Sequence, residues 1–537
     1  MKKHFIKYIL GVAAVTAMTA SGCKKDFFNR PPQAATTVGN YYQTVDQVNA
    51  STDILYGSPW FGWNNKVGWA ITENGGGNLR SWSSDVSAFE SLAVPNTNSE
   101  LLAAWDSPFT VIAQANGIIN NLPANVPASV SKAAVNNALG EARMMRAVAY
   151  FFLVRTFGAV PIVENPLDDV NKFQSIPRNT VPDVYKFIVN DLQFAEANCY
   201  AGTAHTGHGS SNSASALLSK VYLYMQDYAD AQKEAEKVIA SNEFALLPNF
   251  HDLFLSANNN NKESILAMQW ISGGGYDYGN SIQASWAFSS TITGTGDGYG
   301  TVGPTFDLQD DFKKEGGDST RRHETYMIPG SYYAEIDQAA GGYRLPLSAS
   351  SQGTFAEAKK YIVGTPADNN GVGNAQATHN NTYIMRYADV LLIEAEAIMG
   401  QQANPGVGHG IDTSTVTSDP KAVMYFNMVR SRAHVPTVTS FTYRDLMRER
   451  RIEFALEQDY FFDLMRYDGF NVSHHPLALS IMNKQDRGSA GGTWPNVQRY
   501  HNETYTFTDA NLVWPIPASE TSSDPALLKD PVPYTFK

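Results

Sequence analysis

Four of the nine tryptophans, Trp60, Trp63, Trp69 and Trp82, fall between residues 60 and 82, with Phe61 among them and Asn64, Asn65, Asn74, Asn78 and Arg80 interleaved. Flat rings beside amide and guanidinium groups suit a ligand with apolar C–H faces and a rim of hydroxyls, which is the surface of a sugar ring. The same residues would also serve to anchor an irregular, loop-like segment on a helical core. A second group, Tyr276, Tyr278, Trp286 and Tyr299, lies in Gly-rich sequence. Glycine there admits close approach to a ligand as readily as a tight turn. The expectation is that the two segments converge on one face and supply ligand contacts from Trp60, Trp63, Trp69, Asn78, Arg80, Trp82, Tyr276, Tyr278, Trp286 and Tyr299.

Other chemistries lack their residues. There is no His-Glu-x-x-His, and neither His205 with His208 nor His474 with His475 has nearby zinc partners in sequence. No Gly-x-Ser-x-Gly elbow and no phosphate loop occur. Asp297 between Gly296 and Gly298, and the Asp310-Asp311 pair, resemble calcium ligands only loosely. Glycoside hydrolysis needs two carboxylates at a set separation across a sugar, which spacing in sequence does not establish. The expectation is a protein without catalytic residues, metal or cofactor.

The N-terminus is read as a secretory leader. Lys2, Lys3 and Lys7 precede an apolar stretch from Ile9 to Ala20, and Ala20-Ser21-Gly22-Cys23 is a cleavage site ending in cysteine. Residues 1–22 are thus expected to be removed, Cys23 to be acylated, and residues 23–40 to form a tether. Two or more acyl chains give stable anchoring. No later apolar run has the length of a membrane span. The formal net charge of −12 becomes more negative once the leader lysines go, which argues against nucleic acid as ligand. With Cys23 acylated, Cys199 has no disulfide partner.

Three blocks carry helical periodicity. Ser99 to Leu122 and Ser131 to Gly158 read as an antiparallel pair, with Leu139, Ala142, Met145, Arg146, Ala149 and Phe152 at three- and four-residue spacing. A block from Pro182 through Ala214 to Ile239 alternates small and large apolar residues like helix-turn-helix repeats of about 34 residues. Tyr387 to Met399 pairs with Ala422 to Arg432, and Tyr443 to Tyr467 closes the series. Such units bury their faces by stacking into a right-handed superhelix. The predicted fold is mainly α, a tetratricopeptide-like repeat scaffold over about 41–243 and 382–470. An irregular, loop-rich lobe is inserted at about 244–381, and a C-terminal segment spans 471–537.

Three stretches resemble signatures of one family. Gly140-Glu141-Ala142-Arg143-Met144-Met145-Arg146-Ala147-Val148-Ala149-Tyr150-Phe151-Phe152, with Phe157-Gly158-Ala159-Val160-Pro161, is similar to the first signature of the SusD/RagB outer-membrane lipoproteins. Arg386-Tyr387-Ala388-Asp389-Val390-Leu391-Leu392-Ile393-Glu394-Ala395-Glu396-Ala397 resembles the second. Arg448-Glu449-Arg450-Arg451-Ile452-Glu453-Phe454, with Phe462-Asp463-Leu464, resembles the third, and Trp514-Pro515-Ile516-Pro517 fits the family ending. Gln458-Asp459 departs from the more usual Gly and basic residue, a change expected to weaken a local ion pair. The charged residues in these signatures are read as scaffold contacts.

The resemblance implies a surface-exposed lipoprotein of the outer membrane, without catalysis. It would bind glycan or oligosaccharide and act as a lid on a SusC-like TonB-dependent transporter. Peptide or glycopeptide cargo is the alternative, and a glycoside hydrolase the more distant one.

Overall fold

Ser131 ends an extended stretch, and its hydroxyl accepts the Ala134 N–H to open a long helix that Gly158 stops at φ +69°. That helix, α2 (Lys132–Phe157), is the axis of a computed structural model describing residues 41–165, 175–202, 206–314 and 318–536. The leader, Cys23 and the tether lie outside the described residues.

The helices pack in chain order. α1 (Ser99–Asn125) lies on α2, α2 on α3 (Val181–Asn198), α3 on α4 (Ser211–Tyr224), and α4 on α5 (Tyr228–Ser241). After the irregular stretch, which contains the short helix α6 (Phe306–Lys313), α7 (Tyr387–Ala403) returns onto α5 and carries α8 (Pro420–Arg432). The scaffold is therefore mainly helical, each helix burying its apolar stripe on the next.

Two of these runs are divided. The run to Ile239 divides at Gln226, whose backbone is left-handed at φ +55° and whose buried amide donates to the Arg466 carbonyl at 2.6 Å. The run from Tyr443 divides into α9 (Tyr443–Phe454) and α10 (Tyr460–Arg466). Leu456 and Gln458 between them have positive φ, and their N–H groups donate to the buried Glu73 carboxylate at 3.0 and 2.9 Å. One distant carboxylate thus satisfies backbone groups that a continuing helix would have used.

The signature charges are buried pairs. Arg146 meets Asp191 through two hydrogen bonds of 2.7 and 2.8 Å, joining α2 to α3. Glu453 accepts from Arg321, Arg386 and Arg432, and Arg386 also reaches Glu263 and Glu457. Arg466 joins Glu396 and Asp463, and Arg450 joins Asp389 and Asp463. Removing one member of such a set strands its partners in a medium that solvates charge poorly. Both residues of the Gln458-Asp459 departure make contacts of their own. Asp459 pairs with Arg155 at 2.8 Å and Lys220 at 2.6 Å, and Gln458 accepts the Trp63 indole N–H at 3.0 Å.

Between residues 244 and 381 the secondary structure is short. The longest pair is β2 (Ser264–Met268) with β4 (Thr382–Arg386), antiparallel with Met268 opposite Thr382. Closer to the candidate site, β1 (Leu79–Arg80) pairs with β3 (Gly303–Pro304), and β5 (Ala490–Thr493) with β6 (Asn496–Arg499). Among the described residues no helix is long and apolar enough to cross a membrane.

Candidate functional site

The tryptophan-rich segment is not a loop. Trp63–Val67 and Ala70–Asn74 form π-helical turns that run through the core. Trp60, Trp63, Trp69, Asn78 and Arg80 are all buried, and so is Trp286. The Trp60 indole donates to the Leu55 carbonyl at 2.8 Å, Trp63 packs on Phe152, and Trp69 packs edge-on against Trp286 at 6.1 Å. Asn78 is held between the Glu73 carboxylate and the Arg451 guanidinium. These six residues offer no face to a ligand. Aromatics at every position of a helix surrounded by other helices pack on all sides, whereas the expectation treated the segment as peripheral.

Four candidates remain exposed: Trp82, Tyr276, Tyr278 and Tyr299. Trp82 is the tryptophan that projects, with 57% of its surface accessible. It follows β1, and its N–H donates to the Gln352 side-chain oxygen at 2.7 Å. The same amide donates to the Gly300 carbonyl at 2.6 Å, next to Tyr299, so one buried glutamine ties both aromatic positions together. Ser81 adds a bond from its hydroxyl to the Thr301 carbonyl at 2.6 Å.

The Trp82 ring is held from two sides. The Arg80 guanidinium, paired with Glu503 at 2.6 Å, lies 5.1 Å from the ring centroid. Gly353, at φ +72°, passes so near the ring edge that a Cβ there would stand 3.0 Å from Cη2 and equally near Ser489 Cβ. A side chain at 353 would displace the ring. The Gly353 carbonyl accepts the Ala490 N–H at 2.8 Å, and Ser489 accepts from exposed Tyr500. Sequence reading missed the 350–353 turn, Ser489, Tyr500 and Asn502, whose side-chain oxygen accepts the Ser489 N–H. Only the exposed aromatic Tyr500 carried a signal for them.

A polar band runs from Trp82 to the second aromatic group. Ser83 donates to Asp85, Asp85 pairs with Lys66 at 2.5 Å, and the neighbouring Asn65 bonds Tyr276 and Ser281. The Tyr276 ring meets Phe61 edge-on at 4.7 Å. The two segments thus do come together, through Asn65 and the buried Trp69–Trp286 contact rather than by sharing exposed tryptophans.

Carboxylates near this band are engaged. Glu90 and Glu357 are buried, and burial pushes each up to about 7. Glu357 accepts the N–H and hydroxyl of Ser351, bracing the 350–353 turn from behind. Burial lowers the Arg487 guanidinium to about 10. It donates to the carbonyls of Asn74, Gly75 and Glu90, closing the π-helical segment. Asp297 is taken up by the Thr295 hydroxyl and Gln376 N–H, Asp310 by Arg499, and Asp311 by Arg451. Among the described residues His251, Glu324 and Glu335 have metal-like spacing, and the Lys359 ammonium already stands 3.7 and 3.3 Å from the two carboxylates.

Comparison with known proteins supplies the family. The profile described as the SusD family matches residues 262–532, and one described as starch-binding associating with outer membrane matches residues 33–223. A SusD-like protein of Bacteroides ovatus is 31% identical over 566 residues, covering 99% of each chain. The starch-binding protein SusD of Bacteroides thetaiotaomicron is 23% identical over 430 residues, 72% of this chain and 70% of its own. A crystal structure with xylogluco-oligosaccharide superposes with TM-score 0.80 at 30% identity, covering 91% of this chain and 99% of the other. Matched across both halves by profile and end to end by a relative, this chain belongs to the SusD family.

Proposed function

We propose that this protein is a glycan-binding lipoprotein of the outer-membrane surface, anchored through Cys23. It captures oligosaccharides cut from polysaccharide and delivers them to a SusC-like TonB-dependent transporter. The observation that carries the reading is Trp82: a projecting indole fixed by Arg80, Gly353 and Gln352, with hydroxyl and amide groups at its margin. Such a ring stacks on the C–H face of a sugar while the margin bonds its hydroxyls. The 30%-identical structure holding a xylogluco-oligosaccharide supports a neutral glycan as the cargo.

Binding without hydrolysis fits the state of the nearby carboxylates. Glu90 and Glu357 are buried, Glu503 is paired with Arg80, and Asp85 with Lys66. A few stacked rings give modest affinity, which suits release to a transporter.

Affinity electrophoresis of the chain from Lys24 onward through gels containing xyloglucan, a β-1,3-glucan or starch tests the reading, with Trp82→Ala run beside it. Retardation by one glycan, lost in the variant, is expected. No retardation by any, or displacement by peptide rather than oligosaccharide, would overturn it, and new reducing ends would establish hydrolysis. Co-purification with the transporter barrel from detergent-solubilised membranes tests the partnership.

A further inference from the structure

A cleft of about 500 Å³ opens beside the β5–β6 hairpin, apart from the Trp82 ring. Its volume lies in the range of small-molecule sites. Buried Tyr326 and Phe355 line it, with Lys313, Ser319 and Arg322 supplying polar groups and half-buried Trp494 at the hairpin turn. Trp494 makes no hydrogen bond and no ring contact with any described residue, unlike the core tryptophans, whose rings pack on other aromatics. Arg322 uses its guanidinium in one long hydrogen bond, 3.4 Å to the Tyr326 carbonyl, and stands 5.9 Å from the Tyr326 ring centre, leaving N–H donors over. An indole face and N–H, apolar walls and spare guanidinium donors are what a sugar ring requires.

The cleft and the Trp82 site share two loops. Gly353 lies against Trp82 while Phe355 walls the cleft, and two residues span at most about 7 Å. Phe355 itself has φ +51°, a left-handed conformation that a bulky residue adopts only where its surroundings enforce it. Ser489 borders Gly353, and the chain from Ala490 to Trp494 covers at most about 14 Å. The hairpin is fixed from below, Arg499 holding both Asp310 oxygens at 2.6 Å with its guanidinium 4.3 Å from the Phe306 ring centre. Trp494 therefore sits on a braced element, and a site held in advance loses little entropy on binding.

We propose that this cleft is a second sugar subsite, continuous with the Trp82 site over the ridge formed by residues 353–355 and 489–494. A glycan long enough to cross the ridge occupies both, so the protein prefers long chains over short ones. The proposal rests on the glycan-binding reading above.

Isothermal titration of the chain from Lys24 onward with xylogluco-oligosaccharides of increasing length, ending in polymeric xyloglucan, tests it. Wild-type affinity is expected to rise about tenfold from the shortest to the longest ligand, the gain of one more stacked ring. Trp494→Ala and Arg322→Gln should each abolish most of that rise and leave the shortest ligands unaffected, and Trp494→Tyr should restore part of it. The proposal is overturned if the wild type shows no length dependence, or if both variants keep it. It also falls if both variants weaken short and long ligands alike. Loss of binding at every length in Trp82→Ala, with only the length gain lost in Trp494→Ala, separates the two readings. If the wild type binds no member of the series, the subsite proposal falls, and the functional reading falls with it only where the three-glycan electrophoresis is negative as well.

Discussion

Replacing Trp82 by alanine isolates the stacking contact. The ring is 57% accessible. With up to about 250 Å² of surface on a tryptophan, some 140 Å² face solvent, and a sugar on one face covers about half, roughly 70 Å². At about 25 cal/mol per Å² the covered area contributes about 2 kcal/mol, close to a 20-fold change in Kd. The indole makes no hydrogen bond inside the protein, and its loss removes only the Arg80 contact and the packing on Gly353. The melting temperature should therefore stay near that of the parent. Titration calorimetry with the best-binding glycan reads the affinity, and circular dichroism the fold. Affinity unchanged in a folded variant would refute the assignment of stacking to this ring.

The buried tryptophan of the second group should behave oppositely. Trp286→Ala opens a cavity against Trp69 and Tyr361 and is expected to cost about 3–5 kcal/mol in urea unfolding, with the folded fraction binding glycan normally. Glu453→Gln takes the shared buried carboxylate from Arg321, Arg386 and Arg432, each of which keeps another acidic partner, and should cost about 3–5 kcal/mol; a loss below about 1 kcal/mol would show the pairs to be dispensable. Burial raises the Glu357 carboxyl to about 7, above its unfolded value, so its contribution is full below the unfolded value and is lost as pH rises through about 7. Glu357→Gln should thus be near neutral at about pH 5 and stabilising by about 2–3 kcal/mol at about pH 8.5. Identical pH dependence of the two proteins in urea would contradict that cause.

The helices were legible because their periodicity and stops are local. Ser131, Gly158 and the small-large alternation of α4 and α5 sit within a few residues of what they control. The break at Leu456 was not, because the carboxylate that satisfies it, Glu73, lies on another element. At the candidate site, residue type alone could not separate a stacking tryptophan from a core one. Trp69 and Trp82 stand in the same tryptophan-rich stretch, and what differs is whether a second layer, here Trp286, covers the ring. The groups that set the Trp82 ring were beyond local pattern as well, Gln352 standing 270 positions away.

The buried Arg487 guanidinium bears on the order in which the chain matures. Its carbonyl partner on Asn74 lies 413 positions earlier, and Gln485 reaches Gly76 across 409. The π-helical segment from Trp63 to Asn74 therefore lacks the partners that close it until nearly the whole polypeptide has been synthesised, and contacts of such separation form slowly. A stop codon just before Arg487 would forfeit the Trp82 surface although Trp82 itself had long been made.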